Sequence, residues 1–256
     1  MEYSELRKRL EQMAEEKYRD FSQALIPGGR PMLGVRIPAL RKLAKEIARE
    51  DWQGYLDRVQ GVKAGSHCNM PGADTGRDES ERVELSEEVN LQGFVIGYAK
   101  TEYDTILPYI ARHVEKIDDW YLNDGFCAGL KIVKKHREEF LEFLMPYIYS
   151  EEEFKRRFGA VMLMDYYLDD AYIYRTLELL DSMEMEGYYC QMAIAWAVAT
   201  AWAKQRDITH QYLTGGQHHL TETVLDMTIR KLLDSYRVSP EDKVAIREMK
   251  RVLHHE

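Results

Sequence analysis

Trp120 and Asp124 stand four residues apart in the stretch KIDDWYLNDGF, residues 116–126. If a helix begins near Asp118, whose side chain can accept a bond from an otherwise unpaired backbone N–H, that spacing puts the indole and the carboxylate on one face. Such a pair can do chemistry. A fixed carboxylate stabilises a developing positive charge and can orient or deprotonate a water. The electron-rich indole face attracts a cationic or polarised partner by roughly 0.5–2 kcal/mol. The same residues also have an ordinary reading, in which Trp120 fills a core and Asp124 complements the dipole at the start of a helix. Both readings are open at this level.

Other chemistries lack residues to carry them. The sequence holds no CxxC pair and no HExxH, so no metal site with recognisable spacing and no cofactor is expected. The pairs His218-His219 and His254-His255 have no acidic or sulfur partner at helical spacing and read as solvent-exposed. Cys68, Cys127 and Cys190 are isolated and odd in number, which fits a reducing cytoplasm better than a disulfide framework. The opening stretch MEYSELRKRLEQMAEEKYRD is charged throughout, so no signal peptide is expected. No apolar run approaches the roughly 18 residues of a membrane span. A net charge of −9 argues against a protein that coats DNA through bulk charge, but it leaves room for a local basic groove on an acidic body.

The elements that must position these residues are helices. With 256 residues and 45% hydrophobic content the chain can bury a substantial core. Apolar residues recur at three and four through SELRKRLEQMAEEKYRDFSQAL, which reads as one helix ending near PGG. Pro38 suits the first turn of the next, IPALRKLAKEIARED. Further helices are predicted at 87–100, 103–115, 119–135, 137–149, 151–167, 171–182, 187–204, 220–235 and 240–253. The Gly-, Asp- and Ser-rich segment 61–86 reads as a long mobile loop, and His67 and Cys68 within it lack partners for a metal or thiol site.

LPYI at 107–110 recurs as MPYI at 145–148, 38 residues later. That period suits antiparallel helix pairs of the HEAT or armadillo kind, stacked into a solenoid and forming one domain over 1–256. On the same period, Trp120, Arg157 and Trp196 follow one another at 37 and 39 residues. Each would lie early in the second helix of its pair, lined up along one surface with Asp124.

These stretches, in this order, resemble the AlkD-like DNA alkylation repair glycosylases, from about residue 25 to 251 with 61–86 as an interruption. LGVRIPALRKLAKEI is similar to the family's N-terminal segment and DDWYLNDGF to its catalytic tryptophan–aspartate segment, with the same separation. FKRRFGAVMLM resembles the helix that brings an arginine to the DNA backbone, QMAIAWAVATAWAK the helix of a second active-site tryptophan, and TIRKLLDSYRVSPEDK a basic segment. The resemblance implies a right-handed α-solenoid of HEAT-like repeats. It also implies hydrolysis of the N-glycosidic bond of cationic N3- and N7-alkylpurines in duplex DNA, without insertion of the damaged base into a pocket. Asp124 would be the catalytic carboxylate, Trp120 and Trp196 the indoles against the deoxyribose, Arg157 a phosphate contact, and Arg230 and Lys231 part of the DNA-binding surface. From the residues alone, Trp196 in an apolar helix could equally be core, and Arg157 could belong to a solvated basic face. The C-terminal cations Arg230, Lys231, Arg237, Arg247, Lys250 and Arg251 could be a helix surface rather than a DNA-facing stripe. Trp202 reads as packing. The alternative to a cytoplasmic, monomeric glycosylase is a non-catalytic HEAT-like module that binds distorted or branched DNA or a protein partner.

Overall fold

The structure is a computed structural model and describes residues 3–61 and 84–253. The expected loop over 61–86 therefore lies, apart from its ends, outside the described residues. Thirteen α-helices and one 3-10 turn make up the described chain, which holds no β-strand beyond a single bridge between Ala14 and Val35. The chain is all-α. It divides into two compact units, residues 1–132 and 133–256. None of the described helices is long and apolar enough to cross a membrane.

The first unit contains α1 (Tyr3–Gln12), α2 (Glu16–Ala24), α3 (Ile37–Val59), α4 (Ser86–Tyr98), α5 (Tyr103–Val114) and α6 (Trp120–Cys127). The single N-terminal helix expected from periodicity is in fact two. Between them the chain turns and pairs with the strand-like stretch before α3, where the Glu15 N–H donates to the Gly34 carbonyl at 3.0 Å. Gly34 has φ +89, and a Cβ there would come within 2.4 Å of the Glu15 carbonyl, so both conformation and contact require glycine. Pro38 falls in the first turn of α3 as expected, and that helix continues through a kink at Asp51.

α4 organises this unit. Its residues Ser86–Ile96 are all buried, as expected of a helix covered on every side, and it packs against α3, α5 and α6. Its first turn carries buried acids with assigned tasks. The Glu87 carboxylate accepts from the N–H groups of Leu33, Gly34 and Val35 at 2.7–3.1 Å, and Glu88 receives the Leu85 N–H and pairs with Arg7. The chain leading into α3 is thereby fixed onto α4.

The second unit holds α7 (Arg137–Ile148), α8 (Glu153–Tyr166), α9 (Ile173–Ser182), α10 (Tyr188–Lys204), α11 (Arg206–Thr214), α12 (Glu222–Asp234) and α13 (Pro240–Leu253). Here α10 is central, with Ala- and Val-rich faces against α8, α12, α11 and α9. Two predicted elements differ. The helix expected over 119–135 stops at Cys127 and resumes as a 3-10 turn, Lys131–Lys135. Past that stop the backbone comes close to α4, where a Cβ on Gly97 would lie 2.9 Å from the Gly129 carbonyl. α11 was not predicted; its short amphipathic run QRDITHQYLT ends at Gly215-Gly216, a stop signal available in the sequence.

Candidate functional site

The cap of α6 falls one residue later than expected. Asp119, not Asp118, is the N-cap: its backbone is extended (φ −148, ψ 166) and its carboxylate accepts the Leu122 N–H at 2.8 Å. Of two adjacent acids only one can occupy the residue before the first turn, and the inward-facing one does so. Asp119 is 3% exposed, whereas Asp118 is exposed and meets Arg30 at 2.9 Å. Burial pushes the Asp119 carboxyl up to about 6, against the opposing pull of the backbone N–H groups of Leu122 and Tyr121.

This shift changes the standing of the two residues that follow. Trp120 is the first residue of α6 and Asp124 the fifth, both half-buried, and α6 has no acid in its first turn. The ordinary reading of Asp124 as a first-turn acid therefore does not apply, because Asp119 already meets the helix start. Trp120 is not enclosed core either. Its indole N–H reaches the Leu25 carbonyl at 3.4 Å, and its ring meets the Tyr121 ring edge-on at 6.2 Å. One oxygen of Asp124 accepts from the Asn123 side-chain amide at 3.1 Å, and Asn123 itself is fully buried. A buried residue thus orients the carboxylate of a half-exposed one.

A cation that the sequence reading left unassigned sits beside this helix. Arg41 of α3 stacks over the Phe94 ring, 4.2 Å from its centroid, and donates to the Gly125 carbonyl at 3.4 Å. One turn on, the Lys45 ammonium lies 5.2 Å from the centre of the Tyr98 ring. Only the α3–α4 packing brings Arg41 to α6, so local spacing could not reveal it.

The remaining expected residues lie in the second unit. Trp120, Arg157 and Trp196 are the first, fifth and ninth residues of α6, α8 and α10, so they do not share the early helical position that the repeat period suggested. The period survives in the sequence, but the helices start at unequal offsets along it. Arg157 is 4% exposed, and its guanidinium donates to the Tyr189 carbonyl at 2.8 Å. Its neighbour Arg156 donates to the carbonyls of Ser150 and Glu186, and Glu153 accepts from the Tyr189 N–H. For these two arginines the basic run is not a solvated face. It ties the start of α8 to the start of α10.

Trp196 is 37% exposed, while Trp202 on the same helix is 2% exposed and is packing as expected. The core reading of Trp196 thus gives way to an open one. The Lys231 ammonium lies 5.9 Å from the centre of its ring. Both line a cavity of about 710 Å³ together with Thr200, Lys204, Asp234 and Arg237. Arg230, adjacent in α12, is exposed and does not line it. The histidine pair gains one contact that spacing could not show. His219 is exposed but has an acidic partner at long range, its ring nitrogen lying 2.7 Å from Asp181, 38 residues earlier. Among the described residues no group of His, Cys, Asp or Glu is arranged to hold a metal ion.

The structure thus pairs Trp120 with Asp124 on α6 in the first unit, and Trp196 with Lys231 around a cavity in the second. Comparison with curated proteins found no match. A family model described as DNA alkylation repair enzyme matches residues 85–232, more than half of the chain and all of α6, α8 and α10. The helices that carry the indoles and the carboxylate are therefore the body of the match, and the chain belongs to the DNA alkylation repair enzyme family.

Proposed function

We propose that the protein is a DNA glycosylase that hydrolyses the N-glycosidic bond of cationic N3- and N7-alkylpurines in duplex DNA, a step of base excision repair. The observation that carries this reading is α6: one turn separates a half-buried indole from a half-buried carboxylate that neither caps the helix nor lies in its first turn, in a chain of the DNA alkylation repair family. The same reading takes the helices as HEAT-like pairs of a right-handed solenoid, a single domain acting as a cytoplasmic monomer.

The chemistry suits these residue types. An alkylated purine cation leaves as a neutral base, because the electron pair of the breaking C1′–N bond quenches its charge, so little acid assistance is needed. Positive charge develops on the sugar. Asp124 stabilises that charge and orients the water whose oxygen bonds to C1′ and whose proton passes to the carboxylate or to solvent. Trp120 and Trp196 offer indole faces to the polarised deoxyribose. Lys231 and Arg230 supply phosphate contacts. The burial of Arg157 gives it a supporting part in this scheme, fixing the start of the helix that carries Trp196 rather than reaching far toward a phosphate.

A single-turnover excision assay on duplex DNA with one N7-methylguanine tests the reading. Excision well above spontaneous depurination by wild type, lost in Asp124→Asn, is the expected result. A wild-type rate equal to the uncatalysed one refutes it. A second reading, a HEAT-like module that binds distorted DNA or a protein without excising bases, draws on the covered Arg157 and the net charge of −9; binding without excision in the same assay selects it.

A further inference from the structure

A second cavity of the same unit, about 450 Å³, opens between α9 and α11 and has no part in the glycosylase scheme. Its walls include Tyr174, Glu178 and Asp181 of α9, Tyr212 of α11, and His218 in the connection that follows Gly215-Gly216. Among the described residues no lysine or arginine lines it, although Arg175 meets Glu178 from outside at 2.7 Å. The cavity beside Trp196, by contrast, is lined by Lys204, Lys231 and Arg237. Two cavities of one unit thus differ in charge, and the carboxylate-lined one disfavours a phosphate and favours a cation.

The aromatic groups suit the same kind of ligand. The rings of Tyr212 and His218, with centroids 5.8 Å apart, meet at 50° and so form a corner rather than a stack. Tyr174 adds a third ring to the lining and is 68% exposed. The Tyr212 hydroxyl donates to Asp181 at 2.7 Å, which makes its ring more electron-rich. Such faces attract a cation, most strongly where water is excluded. Hydrogen bonding narrows the choice of cation. Asp181 already accepts from the Tyr212 hydroxyl and the His219 backbone N–H, and its second oxygen lies 2.7 Å from the His219 ring nitrogen. Glu178 is engaged by Arg175. A guanidinium or primary ammonium brings several N–H donors that each seek an acceptor. A fully methylated ammonium brings charge without donors, and ring faces beside a carboxylate hold it with no new hydrogen bond.

We infer that this cavity binds a methylated ammonium group, with Tyr174, Tyr212 and His218 supplying the ring faces and Asp181 and Glu178 the countercharge. The group arrives either as a free quaternary amine or as the methylated lysine side chain of a protein, since both present the same head. The inference stands apart from the glycosylase reading and uses none of its residues.

Calorimetric titration of the full chain with choline tests it, in mildly alkaline buffer so that the charge of the cavity rests on its carboxylates. Choline should bind. Its neutral carbon isostere, with a tert-butyl group in place of the trimethylammonium, should bind about 2- to 30-fold more weakly, the range of a cation–π contribution. Tyr174→Leu and Glu178→Gln, both at exposed positions, should each weaken choline, and Tyr149→Leu, an exposed tyrosine away from the cavity lining, should not. No choline binding, an isostere that binds as tightly as choline, or an unchanged affinity in the Tyr174→Leu Glu178→Gln double variant overturns the inference. The isostere comparison uses wild type alone, so it decides the matter even if a variant fails to fold. A peptide carrying trimethyllysine separates the sources: binding tighter than choline assigns the site to a protein side chain, and binding no tighter assigns it to a free amine. An unmodified lysine peptide that binds as well as the methylated one overturns the assignment to a methylated group.

Discussion

Two buried groups around α6 should give the protein opposing pH dependences of stability that nearly cancel. His113 is fully buried, with neither ring nitrogen partnered among the described residues; burial, with smaller contributions from Lys116 and Arg30, lowers it to about 3. Asp119 is raised to about 6, chiefly by burial. In the unfolded chain the two titrate near 6.5 and 3.9. Between about pH 4 and 6 the unfolded chain holds a proton on His113 that the folded protein has released, so stability rises with pH. In the same window the folded protein holds a proton on Asp119 that the unfolded chain has released, so stability falls with pH. Each slope is about 1.4 kcal/mol per pH unit, with opposite sign. Asp119→Asn keeps an acceptor for the Leu122 N–H and removes one titration. Its stability relative to wild type should therefore climb by about 2 kcal/mol from pH 4 to 6. His113→Leu should fall by about 3 kcal/mol relative to wild type over the same range. Urea unfolding at pH 4, 5 and 6 measures both differences, with other carboxylates cancelling in each comparison. Slopes of the same sign in the two variants, or none in either, would refute the reasoning.

Asp124→Asn should lower single-turnover excision by about a hundredfold or more, the scale of a lost general base or electrostatic partner, with unchanged urea unfolding. Trp196→Ala should weaken duplex binding and excision while shifting stability by less than about 1 kcal/mol, since the ring is open; Trp202→Ala, from the same helix but buried, should cost about 3–5 kcal/mol. Thermal unfolding of the pair distinguishes them. Arg157→Ala should destabilise by about 1–3 kcal/mol, because the Tyr189 carbonyl loses its donor in a covered setting. If instead it reduces only the salt slope of DNA binding and leaves stability intact, the supporting role is wrong and the phosphate contact is restored.

Local pattern and tertiary packing divided the determination of this protein between them. The helical class was legible in local pattern, because apolar residues at three and four and a proline in a first turn act through the backbone's own geometry. So was the pairing of Trp120 with Asp124, since four residues along a helix are neighbours whatever surrounds them. The repeat and the ordered motifs pointed to the family. Packing between helices, by contrast, set which groups are covered. Adjacent acids at 118 and 119 look alike until packing turns one inward to cap α6 and the other out to Arg30. Trp196 and Trp202 share one apolar helix, and only the neighbours of α10 leave the first open and enclose the second. Arg157 looked like a surface cation, but the junction of α8 and α10 encloses it. Arg41 beside α6, Lys231 near the Trp196 ring, and Asp181 on His219 are contacts between residues at least 35 apart in sequence. Spacing rules reach one or two turns along a helix, and long-range burial is set by how helices meet.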